Sequence, residues 1–274
     1  MPTRLGIVAG GGALPGYIAA RAREQGRDVF IVALEQHADP AVVGAWPHAW
    51  VRLGAAATAI RHFRDAGVEE IVLAGPVRRP SLAELRPDAR MMRFLARGAL
   101  KAGDDGLLSA VVRTLEQEEG FRIVSIQEVA GGLMARRGNL GRLEPGPEDQ
   151  ADIARGVAIL EALGRSDVGQ AVVVQAGVVL GIEAIEGTDA LIRRCGELKR
   201  QAKGPVLIKR AKSGQEQRVD LPTVGPATVE GCAATGFAGI AIEAGRTLVV
   251  DRDATIAAAD AAGLFLIGLD PGAD

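Results

Sequence analysis

The stretch "RLGIVAGGGALPGYIAARAREQG", residues 4–26, decides the fold. Its first seven residues are a short apolar run stopped by glycines, which predicts a buried strand. "LPGYIAARAREQG" (14–26) predicts a helix that stops at Gly26. Strand, glycine turn and helix in that order open a parallel unit, because parallel strands need a crossover of this length.

The pattern repeats. "DVFIVAL" (28–34), "AWVRLG" (49–54), "EEIVLAG" (69–75) and "FRIVSI" (121–126) read as further strands. "AATAIRHFRDAG" (56–67) reads as a helix stopped by Gly67. "RMMRFLARGALKAG" and "DGLLSAVVRTLEQEEG" read as two helices broken near Gly103. Right-handed crossovers then give a Rossmann-like α/β domain over residues 1–133 with a parallel sheet.

"MARRGNLGRLEPGPED" (134–149) is rich in Gly, Pro and charge and is the expected linker. From 150 to 274 the character changes. After the helix "EDQADIARGVAILEALG" comes "AVVVQAGVVLGIEAIEG", two β-like runs about a tight Ala-Gly turn. A related pattern returns at "GIAIEAGRTLVVDRD", and a helix follows each: "TDALIRRCG" and "ATIAAADAAG". Two related β-β-α units are expected, in a C-terminal α/β domain with a mixed sheet that closes on "LFLIGLD".

Composition excludes several classes. The chain of 274 residues is 48% hydrophobic and 24% charged, with net charge -2 and 3% aromatics. It lacks the basic footprint and the stacking aromatics of a nucleic-acid binder. Cys195 and Cys232 form no CxxC pair and read as buried thiols of a reducing compartment. The N-terminus does not read as a signal peptide, and no apolar run is long enough to span a membrane. A cytoplasmic protein is expected.

The loop "AGGGALPG" (9–16) ends the first strand and opens the first helix, where amides favour an anion. Gly10 and Gly12 fit a dinucleotide fingerprint, but Pro15 stands in the third glycine's place; Glu35 mimics its ribose acid. Phosphate or sugar binding, NAD(P) binding and plain tight-turn geometry all remain open. "LAGPVRRP" (73–80) puts Arg78 and Arg79 at the carboxyl end of the fourth strand, as anion ligands or as exposed arginines. Asp104 and Asp105 read as helix caps or ligands. In "GIEAIEGTDALI" (181–192), strand alternation turns Glu183 away from Glu186, and Thr188 or Asp189 can cap the next helix.

His37, His48 and His62 are the only histidines, and there is no G-x-S-x-G. A histidine-based triad in the second half and a histidine-rich metal centre are thereby excluded. Hydrolysis here would run on carboxylates and hard metals. "RVDLPTVG" (218–225) offers Asp220 in a proline-stiffened run, with Lys209, Lys212 and Arg218 before it and Thr223 to cap the helix beginning near Pro226. By spacing alone, Asp220 is either structural or a group that binds Mg²⁺ or orients water.

In combination, "LGIVAGGGALP", "GDDGLL", "QEVAGGLMARRGNLGR", "GQAVVVQAGVVLGIEAIEGTDALIRR", "RVDLPTVG" and "AGRTLVVDRDATIAAADAAGLFLIGLD" resemble the LpxI-type UDP-2,3-diacylglucosamine pyrophosphatases of lipid A biosynthesis, over nearly the whole chain. The resemblance implies a Rossmann-like domain and a distinct C-terminal domain with the ligand between them. It implies Mg²⁺-dependent hydrolysis of the substrate to UMP and 2,3-diacylglucosamine 1-phosphate, with Asp220 as the essential aspartate. The expected substrate contacts are Gly11, Gly12, Ala13, Leu14, Gly75 and Arg78 in the first half. In the second they are Gln170, Glu186, Thr188, Asp189, Lys209 and Thr223, with Asp189 and Asp220 on the metal. Where similar sequences carry a polar residue, this chain has Pro76, which shifts that loop's role to backbone or Arg78. A homodimer and transient contact with the inner membrane are expected, the latter because the substrate is an amphipathic lipid. The competing readings are an NAD(P)-dependent nucleotide-sugar oxidoreductase and a lipid or nucleotide carrier without turnover.

Overall fold

The structure is a computed structural model that describes residues 3–78, 85–94, 104–164, 168–200, 203–212, 218 and 221–271, without the side chains of residues 94 and 104–107. Two compact units form. The first gathers Met1–Gly132 and Glu216–Asp220, and the second Leu133–Gln215 and Leu221–Asp274.

In the first unit the described elements are β1 (Leu5–Ala9), α1 (Leu14–Glu24), β2 (Val29–Leu34), α2 (Pro40–Val43), β3 (His48–Val51), α3 (Ala56–Asp65), β4 (Glu70–Ala74), α4 (Ala89–Phe94), α5 (Asp104–Gln117), β5 (Arg122–Ile123) and α6 (Ile126–Ala130). The strands pair in parallel in the order β3-β2-β1-β4-β5. The expected Rossmann-like sheet is therefore present. Its chain order reverses between β1 and β4, where such sheets bind ligands. α3 presses on the sheet through Phe63, which is 2% exposed. A Cβ at Gly6 of β1 would lie 2.7 Å from that ring, so only glycine admits this packing. Phe63 also meets Phe30 and Phe121 edge to face, at 6.5 and 6.2 Å between ring centroids.

The expected fifth strand is shorter than its apolar run. Ser125 and Glu128 form a capping box that starts α6 and ends the extended chain.

The second unit holds β6 (Gly138–Asn139), α7 (Pro147–Gly164), β7 (Ala171–Gln175), β8 (Val178–Ile182), α8 (Thr188–Glu197), β9 (Val206–Lys209), β10 (Thr223–Val224), α9 (Pro226–Ala234), β11 (Gly239–Glu243), β12 (Leu248–Val249), α10 (Arg252–Ala262) and β13 (Phe265–Leu269). A mixed sheet runs β6-β13-β11-β9-β7-β8. β9, β11 and β13 are parallel, while β6 and β7 join antiparallel, and β8 pairs antiparallel with β7. Leu207 of β9 faces Leu191, Ile192, Val229 and Cys232 from α8 and α9. Ile208 faces Ile153 and Leu160 of α7. Helices thus cover both faces, and each fully buried side chain of this kind contributes about 1.5–3 kcal/mol. Gly156 lets α7 approach, since a Cβ there would lie 2.7 Å from Ile208. Within 134–149, Gly138–Asn139 pair with β13, so this Gly- and Pro-rich segment supplies an edge strand of the sheet.

The first expected hairpin forms. β7 and β8 turn through Ala176 and Gly177, both at positive φ (49° and 72°), as a two-residue hairpin turn requires. Asp152 of α7 accepts from both turn amides, at 2.8 and 2.7 Å. The second expected hairpin does not form. Both edges of β11 are taken by β9 and β13, so β12 pairs instead with β10 in a separate two-stranded sheet. The sequence likeness between the two segments therefore does not reflect a structural repeat.

Candidate active site

At the β1–β4 switch the two turns interlock by backbone. Gly10 N–H donates to Ala74 O and Gly11 N–H to Pro76 O, both at 2.8 Å. A Cβ at Gly10 would lie 2.5 Å from Gly75 O, and one at Gly75 would lie 2.3 Å from Gly11 O. These glycines are required by close approach. It follows that the amides of Gly10 and Gly11 are engaged inside the fold and do not point outward. Gly12 follows at φ +73°. Ala13 opens α1 without a side-chain cap, and the Leu14 side chain is buried. The described amides that can face a ligand here begin at Gly12. Arg78 is exposed, and its carbonyl oxygen lies 3.3 Å from His37 Nε2. Glu35 is exposed at the end of β2. Arg79 lies outside the described residues.

In the second unit the polar residues gather at the carboxyl end of β9. Lys209, the last residue of that strand, is 6% exposed. Its Nζ donates to Thr188 Oγ1 at 2.9 Å and to Thr223 O at 3.1 Å. Thr188 Oγ1 donates to Glu183 Oε1 at 2.6 Å, and Gln170 N–H donates to Glu183 Oε2 at 2.9 Å. Two glycines make the arrangement possible. Gly181 lets α8 lie on β8, since a Cβ there would lie 2.7 Å from Cys195 Sγ. Gly169, at φ +55°, lets the loop before β7 lie on Glu183, whose backbone carbonyl oxygen would be 2.0 Å from a Cβ.

The expected caps differ from the observed ones. Gly187, at φ +80°, is the residue before α8, so Thr188 and Asp189 are its first two helical residues and neither caps it. Thr188 is thereby left for Lys209 and Glu183. Thr223 is not the cap of α9 either. It lies in β10, its hydroxyl donates to Leu221 O at 3.2 Å, and Gly225 precedes the helix, with its N–H 3.4 Å from Thr228 Oγ1.

Asp189 is exposed at the start of α8. Burial pushes the Cys232 thiol up to about 12; the Lys209 ammonium pulls it down and the Asp189 carboxylate pushes it up. Asp189 directly follows Thr188 of the Lys209 cluster in the chain. Glu186 is turned to Arg194 at 2.7 Å, and the hydrogen bond from that guanidinium holds its carboxyl below the usual range. Glu183 and Glu186 thus serve different partners, one inside the cluster and one beside it.

A second buried group fixes the chain just after Lys209. Glu243, at the end of β11, is fully buried and accepts from Arg210 Nη2 at 3.2 Å and from Ala211 N–H at 3.0 Å. Arg210 also pairs with Glu161 at 2.6 Å. The segment leading to Asp220 therefore leaves β9 from a clamped root. Asp220 itself lies outside the described residues, as do the side chains of Asp104 and Asp105. Arg218, within the first unit, is paired with Glu116 at 2.8 Å.

Two models of one family match most of the chain. The model described as LpxI N-terminal domain matches residues 4–133, and that described as LpxI C-terminal domain matches residues 136–267. The chain belongs to the LpxI family. It is 44% identical over 276 residues to the UDP-2,3-diacylglucosamine pyrophosphatase LpxI of Caulobacter vibrioides, covering 98% of each chain. A solved structure, CobK precorrin-6A reductase, is similar at a TM-score of 0.33 and 15% identity, over 99% of this chain and 89% of that one.

Among the described residues of this LpxI chain, no three His, Cys, Asp or Glu side chains group closely enough to hold a metal ion. Mg²⁺ is ordinarily held by one or two carboxylates, with phosphate oxygens completing its shell. Asp189, an exposed carboxylate beside the Lys209 cluster, is a donor of that kind. Sequence reasoning passed over Glu183, which joins the Lys209 cluster, and Glu243, which clamps the chain just after Lys209. The signal for Glu243 was a lone acid ending the apolar run "GIAIE". For Glu183 it was an acid directly before the "EGTD" loop.

Proposed function

We propose that this chain hydrolyses the pyrophosphate of UDP-2,3-diacylglucosamine to UMP and 2,3-diacylglucosamine 1-phosphate, a step of lipid A biosynthesis. The observation that carries the reading is the likeness at 44% identity, over 98% of the chain, to a pyrophosphatase of that substrate. The Lys209 cluster supplies chemistry that suits it. Attack by water on a phosphoryl group spreads negative charge over the phosphoryl oxygens, and a preorganised ammonium stabilises that charge.

In this reading Lys209 donates to a pyrophosphate oxygen, with Thr188 and Thr223 holding its ammonium in place. Gln170, Glu186, Asp189 and Thr223 line the second unit's part of the site. Gly11, Gly12, Ala13, Leu14, Gly75 and Arg78 line the first unit's part, Gly11 and Gly75 by shaping the turn. Asp220 orients the attacking water, whose oxygen bonds to one phosphorus as the bridging oxygen leaves with the other. Asp189 and Asp220 would hold Mg²⁺, which when bound neutralises phosphate charge.

The protein works as a homodimer that visits the inner membrane to meet its lipid substrate. No helix among the described residues is long and apolar enough to cross a membrane. The reading is tested by incubating the purified chain with UDP-2,3-diacylglucosamine, with Mg²⁺ and with EDTA. UMP and the 1-phosphate in equal amounts, with Mg²⁺ only, are expected. An intact substrate in both arms contradicts the proposal.

A further inference from the structure

We infer that Glu183 is a positioning residue for Lys209, acting on it through Thr188; the inference rests on the proposed role of Lys209 at the pyrophosphate. Glu183 directly follows β8, and each of its carboxylate oxygens accepts one hydrogen bond, from Thr188 Oγ1 at 2.6 Å and from Gln170 N–H at 2.9 Å. Thr188 has a single hydroxyl proton. With that proton on Glu183, its oxygen turns lone pairs toward Lys209, whose ammonium can only donate. The polarity of the chain Lys209–Thr188–Glu183 is thereby set from its acidic end. A carboxylate end also makes the bonds charge-assisted, so they are stronger than neutral ones.

The place of Glu183 is fixed independently of Thr188. Gly169 passes so close to its backbone that no other residue fits there. The adjoining Gln170 amide holds the second carboxylate oxygen. The loop before β7 and the start of α8 thus meet on one carboxylate, and the ammonium at the end of β9 is reached through it.

Glu183→Gln tests the role, because it keeps the shape and removes one acceptor. Its amide NH₂ must face either the Thr188 hydroxyl proton or the Gln170 N–H. The proteins compared are the wild type, Glu183→Gln, Lys209→Met and the double variant, each with ¹³Cε-labelled lysine. The chain has five lysines, and the signal missing in Lys209→Met identifies Lys209. Glu183→Gln is expected to move or broaden that signal and to lower kcat/KM for UMP release by about 10–100-fold. In the Lys209→Met background it is expected to have no further effect on kcat/KM. Thr188→Val, which breaks the same chain at its middle atom, is expected to move the Lys209 signal as well and serves if Glu183→Gln does not fold. An unmoved Lys209 signal, or effects on kcat/KM that simply multiply, overturns the inference. If the wild type releases no UMP, the proposed function fails and the Lys209 signal alone decides the positioning role.

Discussion

Lys209 Nζ lies 2.9 Å from Thr188 Oγ1, so the last residue of β9 and the first residue of α8 meet as ammonium and hydroxyl. The ammonium is 6% exposed as part of its residue and is held at a second point by Thr223 O. A cation held this way need not reorganise to meet charge that develops on a phosphate. Lys209→Met is expected to fold and to lower kcat/KM by about 10²–10³-fold. Lys209→Arg should not restore activity, because a planar fork cannot occupy the place of a compact ammonium. Steady-state kinetics with circular dichroism as the folding control decide both.

Glu243 and Glu161 share Arg210 but differ in burial. The Glu243 side chain is 1% exposed and that of Glu161 is 57%. Glu243→Ala leaves the buried Arg210 guanidinium with only its exposed partner Glu161 and is expected to cost about 3–5 kcal/mol. Glu161→Ala removes an exposed partner and should cost no more than about 1 kcal/mol. Urea unfolding of the two variants checks the contrast.

Burial lifts the thiols of Cys195 and Cys232, the latter to about 12. At pH 8 the thiolate fraction of Cys232 is then about one in ten thousand. Ellman's reagent should label neither cysteine within minutes in the folded protein, and both in denaturant. Rapid labelling of Cys232 without unfolding would contradict the packing described for α9.

The Glu70 carboxyl is held below its ordinary value: burial raises it, but hydrogen bonds from Arg122 and Arg27 lower it more. A carboxyl depressed in the folded state stabilises above its unfolded pKa of about 4.3 and loses that contribution as pH falls through the folded value. Glu70→Gln should therefore destabilise at pH 7 and much less at pH 3. An equal loss at both, measured by urea midpoints, would contradict this account.

The parallel sheet was legible because its strands are apolar runs closed by glycines, and each crossover helix has its own stop. α6 was also encoded, in the Ser125–Glu128 spacing, but the apolar run "FRIVSI" hid it. The β11–β12 hairpin failed as an expectation for a tertiary reason. A local pattern does not reveal that both edges of β11 are already occupied. In the site, the residues of the "EGTD" loop and Lys209 stood out by type, and the structure brings Thr188 to Lys209. Glu183 was set aside by strand alternation, yet β8 ends at Ile182 and alternation does not extend past it. The Arg210–Glu243 pair spans 33 residues of sequence, and no local signal joins its members.

Asp220 is the residue proposed to orient the water that cleaves the pyrophosphate. The most direct measurement is the initial rate of UMP release from UDP-2,3-diacylglucosamine, in Mg²⁺, by the wild type and by Asp220→Ala. Mg²⁺-dependent release is expected from the wild type, and none above background from a folded Asp220→Ala protein. Undiminished release by that variant would contradict that role.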